Sequence, residues 1–227
     1  MSASPDLAAT RDLHCSFDEG GQRHVVLDGV TLHIRAGETV ALLGRSGSGK
    51  STLLNLISGL ATPDHGEITV AGRDLRRLDE RQRTLLRRRH LGFIYQFFNL
   101  IATLSVLDNV MLPLELDGRT AGSDYERARH LLTTVGLADR ADAFPDRLSG
   151  GEQQRIALVR ALVHEPPLIL ADEPTGNLDE ETGAMVLALL EQLGRGAGRG
   201  MLIVTHSQEV AARADRTLTL RNGRLVD

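Results

Sequence analysis

Val40-Ala41-Leu42-Leu43-Gly44-Arg45-Ser46-Gly47-Ser48-Gly49-Lys50-Ser51-Thr52 decides how the rest of this chain is read. The first four residues are a short continuous apolar run, the mark of a strand buried on both faces. Residues 44–51 match G-x-x-x-x-G-K-[ST], extended by Thr52. Beyond them, Leu53, Leu54, Leu56, Ile57 and Leu60 recur at helical spacing, and Gly59 and Pro63 end the helix. Strand, glycine loop and helix together are the setting in which this motif cradles a triphosphate. Successive backbone N–H groups of Gly44, Arg45, Ser46, Gly47, Ser48 and Gly49 point inward, and the helix N-terminus adds its dipole. Lys50 then reaches the β- and γ-phosphates, the Ser51 hydroxyl binds Mg²⁺, and Thr52 lies close to the α-phosphate. Lys50 is also the only lysine in a chain otherwise rich in arginine. A compact ammonium between phosphates is poorly replaced by a planar guanidinium.

Working outward, residues 29–43 read as strand, turn and strand around Ala36-Gly37. Residues 79–90 carry Arg81, Arg83, Arg87, Arg88 and Arg89, which read as a solvated helix face, with a basic membrane-facing patch as the alternative. Leu91-Gly92-Phe93-Ile94-Tyr95 reads as a strand. Residues 105–163 are mostly helical in pattern, with Pro113 and Pro145 as breaks. Leu168-Ile169-Leu170-Ala171 is a second buried strand ending at Asp172-Glu173. A helix from about Glu180 to Leu193 leads into a glycine-rich turn over 194–200. Met201-Leu202-Ile203-Val204-Thr205 is a third buried strand, ending at His206. A hairpin around Asn222-Gly223 closes the chain.

The 227 residues suit one or two domains, and 41% hydrophobic with 25% charged residues is ordinary for a soluble globular protein. A formal net charge of −4 leaves no global basic field, and 3% aromatic residues offer little for stacking bases, so no nucleic-acid partner is expected. The single cysteine, Cys15, excludes an intrachain disulfide and reads as a small core residue in a cytosolic protein. No apolar run approaches the roughly 20 residues of a membrane span. Residues 1–6 lack the basic start and apolar stretch of a secretion signal.

Several further residues have chemistry to offer. An acid closing a buried strand can hold Mg²⁺, directly or through water, which is the role read for Asp172. Its neighbour Glu173 can accept a proton from an attacking water. Gln96, just after a strand, can complete the Mg²⁺ shell or order water. His206 can contact a γ-phosphate and the attacking water. Leu148-Ser149-Gly150-Gly151-Glu152 offers a second phosphate-binding surface, a helix N-terminus opened by glycines.

These motifs, together with Asn177-Leu178-Asp179, occur in the order and spacing of an ABC transporter ATPase domain, which the chain resembles over essentially its whole length. The resemblance implies an α/β fold: a P-loop NTPase (RecA-like) core with an antiparallel β subdomain and an inserted helical subdomain. It implies one ABC ATPase domain over 1–227, with the core at about 1–95 and 164–227 and the helical subdomain at about 96–163. Phe17 matches the aromatic that stacks on adenine. Gln96 matches the residue touching both Mg²⁺ and the transmembrane partner. Ser149, Gly150 and Gly151 match the group that binds the γ-phosphate held by the other protomer. Asp179 matches the acid at the dimer interface, and His206 the switch histidine. The implied protein hydrolyses ATP with Mg²⁺ in a head-to-tail homodimer. It drives an integral-membrane permease and sits in the cytoplasm, peripheral on the inner face of the cell membrane.

Residues 91–100 and 171–179 look like the group holding the lipoprotein-releasing ATPase LolD, the macrolide exporter MacB and the cell-division ATPase FtsE. Export or lipoprotein release of the LolD/MacB type is the expectation. The alternative is an FtsE-like ATPase that regulates cell-wall hydrolases through a membrane partner. The chain departs from the usual pattern at Phe17 (commonly Tyr), Arg45 (commonly small or polar), Ile101-Ala102 (commonly Leu-Pro) and Ser207 (often an acid). None of these removes a catalytic group.

Overall fold

Strands of this protein fall into two sheets, and the larger one brings the motif-bearing loops to a single edge. The structure is a computed structural model and describes residues 6–194 and 197–226. The glycine-rich turn expected over 194–200 therefore falls partly outside the described residues, as does most of the N-terminal segment.

The smaller sheet has strand order β2-β1-β4-β5, with β1 at Asp6–Glu19, β2 at Gln22–Arg35, β4 at His65–Val70 and β5 at Arg73–Asp74. All its pairings are antiparallel. Ala8, Leu13 and Cys15 of β1 bury against Leu27, Val30, Leu32 and Ile34 of β2. Cys15 is thus the core residue expected of it. The sequence pattern shows a strand only from residue 29 and does not reveal β1, β4 or β5.

The larger sheet runs β10-β9-β3-β8-β7-β6. Its strands are β3 at Thr39–Leu43, β6 at Leu91–Ile94, β7 at Leu168–Asp172, β8 at Gly200–Thr205, β9 at Arg216–Arg221 and β10 at Arg224–Val226. Strands β9, β3, β8, β7 and β6 are parallel. Both faces of β3, β7 and β8 are covered, which is why their sequences are apolar without alternation. Parallel strands in register end together: Leu43 pairs with Thr205, Val204 with Asp172, and Ala171 with Ile94. The loops beyond them therefore share one edge, where open α/β sheets bind ligands.

Helix α1, Lys50–Ile57, comes after β3, and α2, Glu80–His90, precedes β6. The arginines of α2 are only partly the solvated face expected. Arg83 donates to the Leu75 carbonyl and the Thr62 hydroxyl, and Arg87 donates to the Gly59 carbonyl and pairs with Glu80. These two tie α2 to the segments that follow α1, while Arg81 and Arg89 stay exposed.

Between β6 and β7 lie α3 (Val106–Leu116), α4 (Gly122–Thr134) and α5 (Gly150–Leu162). They bury their own apolar cluster, including Val110, Met111, Leu114, Leu132, Ile156 and Val159. Pro113 does not break the chain as expected. It sits inside α3, where Met111 and Leu114 are fully buried on either side of it, and that packing offsets the lost backbone bond. Pro145 does open a separate 3₁₀ turn. Helix α6, Glu180–Gly194, comes after β7, and the short α7, Gln208–Ala212, has no clear signal in the sequence. Among the described residues no helix is long and apolar enough to cross a membrane.

Candidate active site

Gly44 leaves β3 so close to other backbone that a side chain there would meet the Leu220 carbonyl at 2.8 Å. Gly47 and Gly49 take positive φ, 77° and 100°, which side chains disfavour. Gly49 is the N-cap of α1 and provides no side-chain cap, so the first N–H groups of the helix remain available to an anion. Ser48 Oγ is buried without a partner among the described residues. Lys50 is 7% exposed and donates its Nζ to the carbonyls of Gly44 (2.7 Å) and Arg45 (3.0 Å). The ammonium is thereby held over the loop.

The loop forms one wall of a cleft of about 680 Å³. Arg45, Ser46, Gly47, Gly49, Lys50, Ser51 and Thr52 line it, with Gln96, Asp172, Glu173 and His206 opposite and Phe17 and Val26 at the strand side. Phe17 is 51% exposed and lines the cleft.

Across the cleft the two acids differ. Burial pushes the Asp172 carboxyl above its usual range, opposed first by a hydrogen bond from Ser51; Glu173 raises it further and Lys50 lowers it. Glu173 has φ 48°, a left-handed conformation, and its N–H donates to the Val204 carbonyl at 2.9 Å. Its carboxylate accepts from Thr205 Oγ1 at 3.2 Å and meets His206 Nδ1 at 2.8 Å. Three oxygen-bearing side chains, Ser51, Gln96 and Asp172, line the same cleft and are the kind of ligand a hard divalent cation takes.

A family profile described as ABC transporter matches residues 27–176. The chain is a member of the ABC transporter family. An uncharacterized ABC transporter ATP-binding protein of Mycobacterium tuberculosis is 53% identical, covering 95% of this chain and 87% of that protein. The lipoprotein-releasing system ATP-binding protein LolD of Pseudomonas syringae is 48% identical over 96% of each chain. The dimeric structure of the bacterial ABC transporter cassette MJ0796 superposes with a TM-score of 0.89, at 38% identity over 97% of each chain. A second structure of that cassette, in a post-hydrolysis state bound to ADP and Pi, matches equally well.

The remaining residues of interest in this ABC ATPase lie outside the glycine-loop cleft. Ser149 caps α5: its Oγ accepts from the Glu152 N–H, and the Glu152 carboxylate accepts from the Ser149 N–H at 2.8 Å. That backbone bond holds the Glu152 carboxyl below its usual range. Gly150 faces Phe98, and a Cβ on Gly151 would run into Thr182. Asp179 accepts from the N–H (2.9 Å) and hydroxyl (2.8 Å) of Thr182 at the start of α6. Ser149, Gly150, Gly151 and Asp179 are absent from the lining of the glycine-loop cleft. Asp179 instead borders an adjoining cleft of about 430 Å³, which shares Glu173 and His206 with the first.

Sequence reasoning gives no role to four residues that the structure brings in. Val26 comes from the part of β2 that the sequence pattern does not show as strand. Thr205 reaches the Glu173 carboxylate. Asn177 donates to the Gln96 carbonyl at 2.8 Å, and its Oδ1 lies 3.4 Å from Gln96 Nε2. Gln154 of α5 donates to the Pro174 carbonyl, beside Glu173. The last three act across long sequence separations and leave no local signal.

Proposed function

We propose that this chain is the ATP-binding subunit of an ABC transporter, hydrolysing MgATP as a head-to-tail homodimer and driving a separate membrane permease in lipoprotein release or export of the LolD/MacB type. One observation carries the reading. The cleft that gathers Lys50, Ser51, Asp172, Glu173 and His206 lacks residues 149–151, so the second phosphate-binding surface lies outside its own chain's cradle. A second copy, turned head to tail, supplies it.

In this reading the loop amides and Lys50 hold the β- and γ-phosphates, and Phe17 stacks on the base. Ser51, Gln96 and Asp172 would hold Mg²⁺, which when bound offsets charge on the phosphates. Glu173 accepts the proton of the attacking water, and Thr205 and His206 fix its carboxylate. His206 also reaches the γ-phosphate. Ser149, Gly150 and Gly151 bind the partner's nucleotide, the two glycines through their amides and Ser149 through its hydroxyl, with Asp179 at the contact. Positioning and charge stabilisation of this kind dominate phosphoryl transfer. Several LolD proteins at 46 to 48% identity support the choice of transporter class. The permease would hold the subunit at the inner face of the membrane, and nothing in the net charge of −4 favours a nucleic-acid partner.

Two measurements test this. In a Glu173→Gln background, ATP should convert monomer to dimer on size exclusion. Adding Ser149→Phe should abolish the dimer while monomer ATP affinity stays unchanged. Loss of monomer affinity would place the run in its own chain's site and overturn the head-to-tail arrangement. For cargo, the chain purified with its membrane partner should release lipoprotein from vesicles only with ATP. A partner that instead stimulates a cell-wall hydrolase would reassign the class.

A further inference from the structure

Glu173 is held in a conformation that its sequence resists. It has φ 48°, and the next residue is Pro174. A residue before proline is pushed toward extended backbone, and a side chain at positive φ adds strain of its own. Such a conformation persists only where neighbouring structure over-determines it. Its own carbonyl accepts from the Gly176 N–H at 3.0 Å, and two further bonds bracket it. On one side the Glu173 N–H donates to the Val204 carbonyl at 2.9 Å. On the other, Gln154 Nε2 donates to the Pro174 carbonyl at 2.5 Å.

Gln154 is an unusual group to find at that point. It is 0% exposed, inside α5, and its Oε1 has no partner among the described residues. A buried amide with an idle oxygen is costly, and an apolar side chain of the same length would be the better choice for packing alone. The donor half of the amide is the part the structure uses, and it uses it on the residue beside Glu173.

We infer that Gln154 is a positioning residue for ATP hydrolysis: by holding the Pro174 carbonyl it locks the strained backbone of Glu173 and aims its carboxylate. The inference rests on the role proposed for Glu173 and adds a mechanical link. Gln154 lies little more than one turn from Ser149 on the same helix. The helix that meets the partner's nucleotide therefore also fixes the catalytic loop of its own chain. A shift of α5 as the dimer closes is transmitted to Glu173 without passing through the glycine loop.

The test is steady-state ATPase kinetics of the full chain with three variants. Gln154→Met removes the donor and keeps length and burial. It should lower kcat by about 10-fold or more, since misplacement of a reacting group by about 1 Å can cost about 10²-fold. Its KM and its nucleotide affinity should stay within about two-fold, because the cradle is untouched. Gln154→Glu supplies a donor only while its carboxyl is protonated, and burial favours that form. Its kcat relative to wild type should therefore be highest at low pH and fall as pH rises, a profile that a packing defect does not produce. A kcat within about two-fold of wild type for Gln154→Met would overturn the inference. So would a Gln154→Glu defect that is flat with pH, which also decides the matter should Gln154→Met fail to fold. Glu173→Gln is the control. If it hydrolyses ATP at the wild-type rate, the role of Glu173 fails. If it is inactive while Gln154→Met is normal, only the link through Gln154 fails.

Discussion

Replacing Glu173 by Gln separates chemistry from stability more sharply than any other change. The substitution keeps the Cβ, so the strain of φ 48° is unaltered. It exchanges a carboxylate that meets both Thr205 Oγ1 and His206 Nδ1 for an amide with one acceptor oxygen. At most one of those two contacts is lost, because the amide N–H can donate to the Thr205 hydroxyl or to a neutral imidazole. A hydrogen bond to a charged group contributes about 1.5–3 kcal/mol net. For a chain of this size each kcal/mol is about 2–4 °C of Tm, so the midpoint should fall by no more than about 12 °C. The chemical loss is of another order. A positioned general base contributes about 10²–10⁴-fold, equal to about 2.7–5.5 kcal/mol of barrier. Single-turnover phosphate release at 25 °C, with ATP binding followed separately, should show intact binding and a rate lower by that factor. Thermal unfolding in the same buffer supplies the other half. Turnover at the wild-type rate would refute the assignment of the base. A fall in Tm large enough to unfold the protein at the assay temperature would refute the claim that the loss is chemical.

Three further outcomes are expected from the geometry. Lys50→Arg keeps the charge but places a larger planar group where Nζ sits 2.7 Å from the Gly44 carbonyl, and ATP affinity by titration should fall by about 10-fold or more. Asp172→Asn should raise apo-protein stability while abolishing Mg²⁺-dependent turnover. The folded-state pKa of Asp172 lies above its unfolded value, so its contribution to stability is fully present below the unfolded pKa and is lost as pH rises through the folded one. The gain from Asn, read by thermal unfolding, should therefore grow from acid to neutral pH. Gly92→Ala should lower stability by about 1–3 kcal/mol, because its Cβ would press on the Ala161 carbonyl and on Pro166, and chemical denaturation would show it without a change in the ATP KM of the folded fraction.

Much of the fold is legible in the sequence because its signals are local. Residues 40–52 specify strand, loop and helix through a buried apolar run, glycines that free the backbone, and helical spacing, all within one stretch of chain. The buried strands β7 and β8 announce themselves in the same way, through apolar runs ending at Asp172 and Thr205. Strands β1 and β4 of the smaller sheet do not. They expose one face, so Arg11, Asp12 and His14 interrupt the apolar pattern, and their pairing partners lie far away in sequence. Pro113 reads as a break because its penalty is local, whereas the packing that overrides it is not.

The sequence by itself determined the chemical inventory: one lysine in a glycine cradle, paired acids closing a buried strand, and a serine-glycine helix start. A motif dictates the backbone it occupies, and that is enough for these. Only the tertiary structure decided which of them meet. Parallel register brought Gln96, Glu173 and His206 to one edge and left Ser149 outside the cleft. It also set Thr205 and His206 on Glu173, Asn177 on Gln96, and Gln154 on Pro174. Contacts between residues 20 to 81 positions apart are fixed by how strands and helices pack, and no local stretch of sequence carries that register.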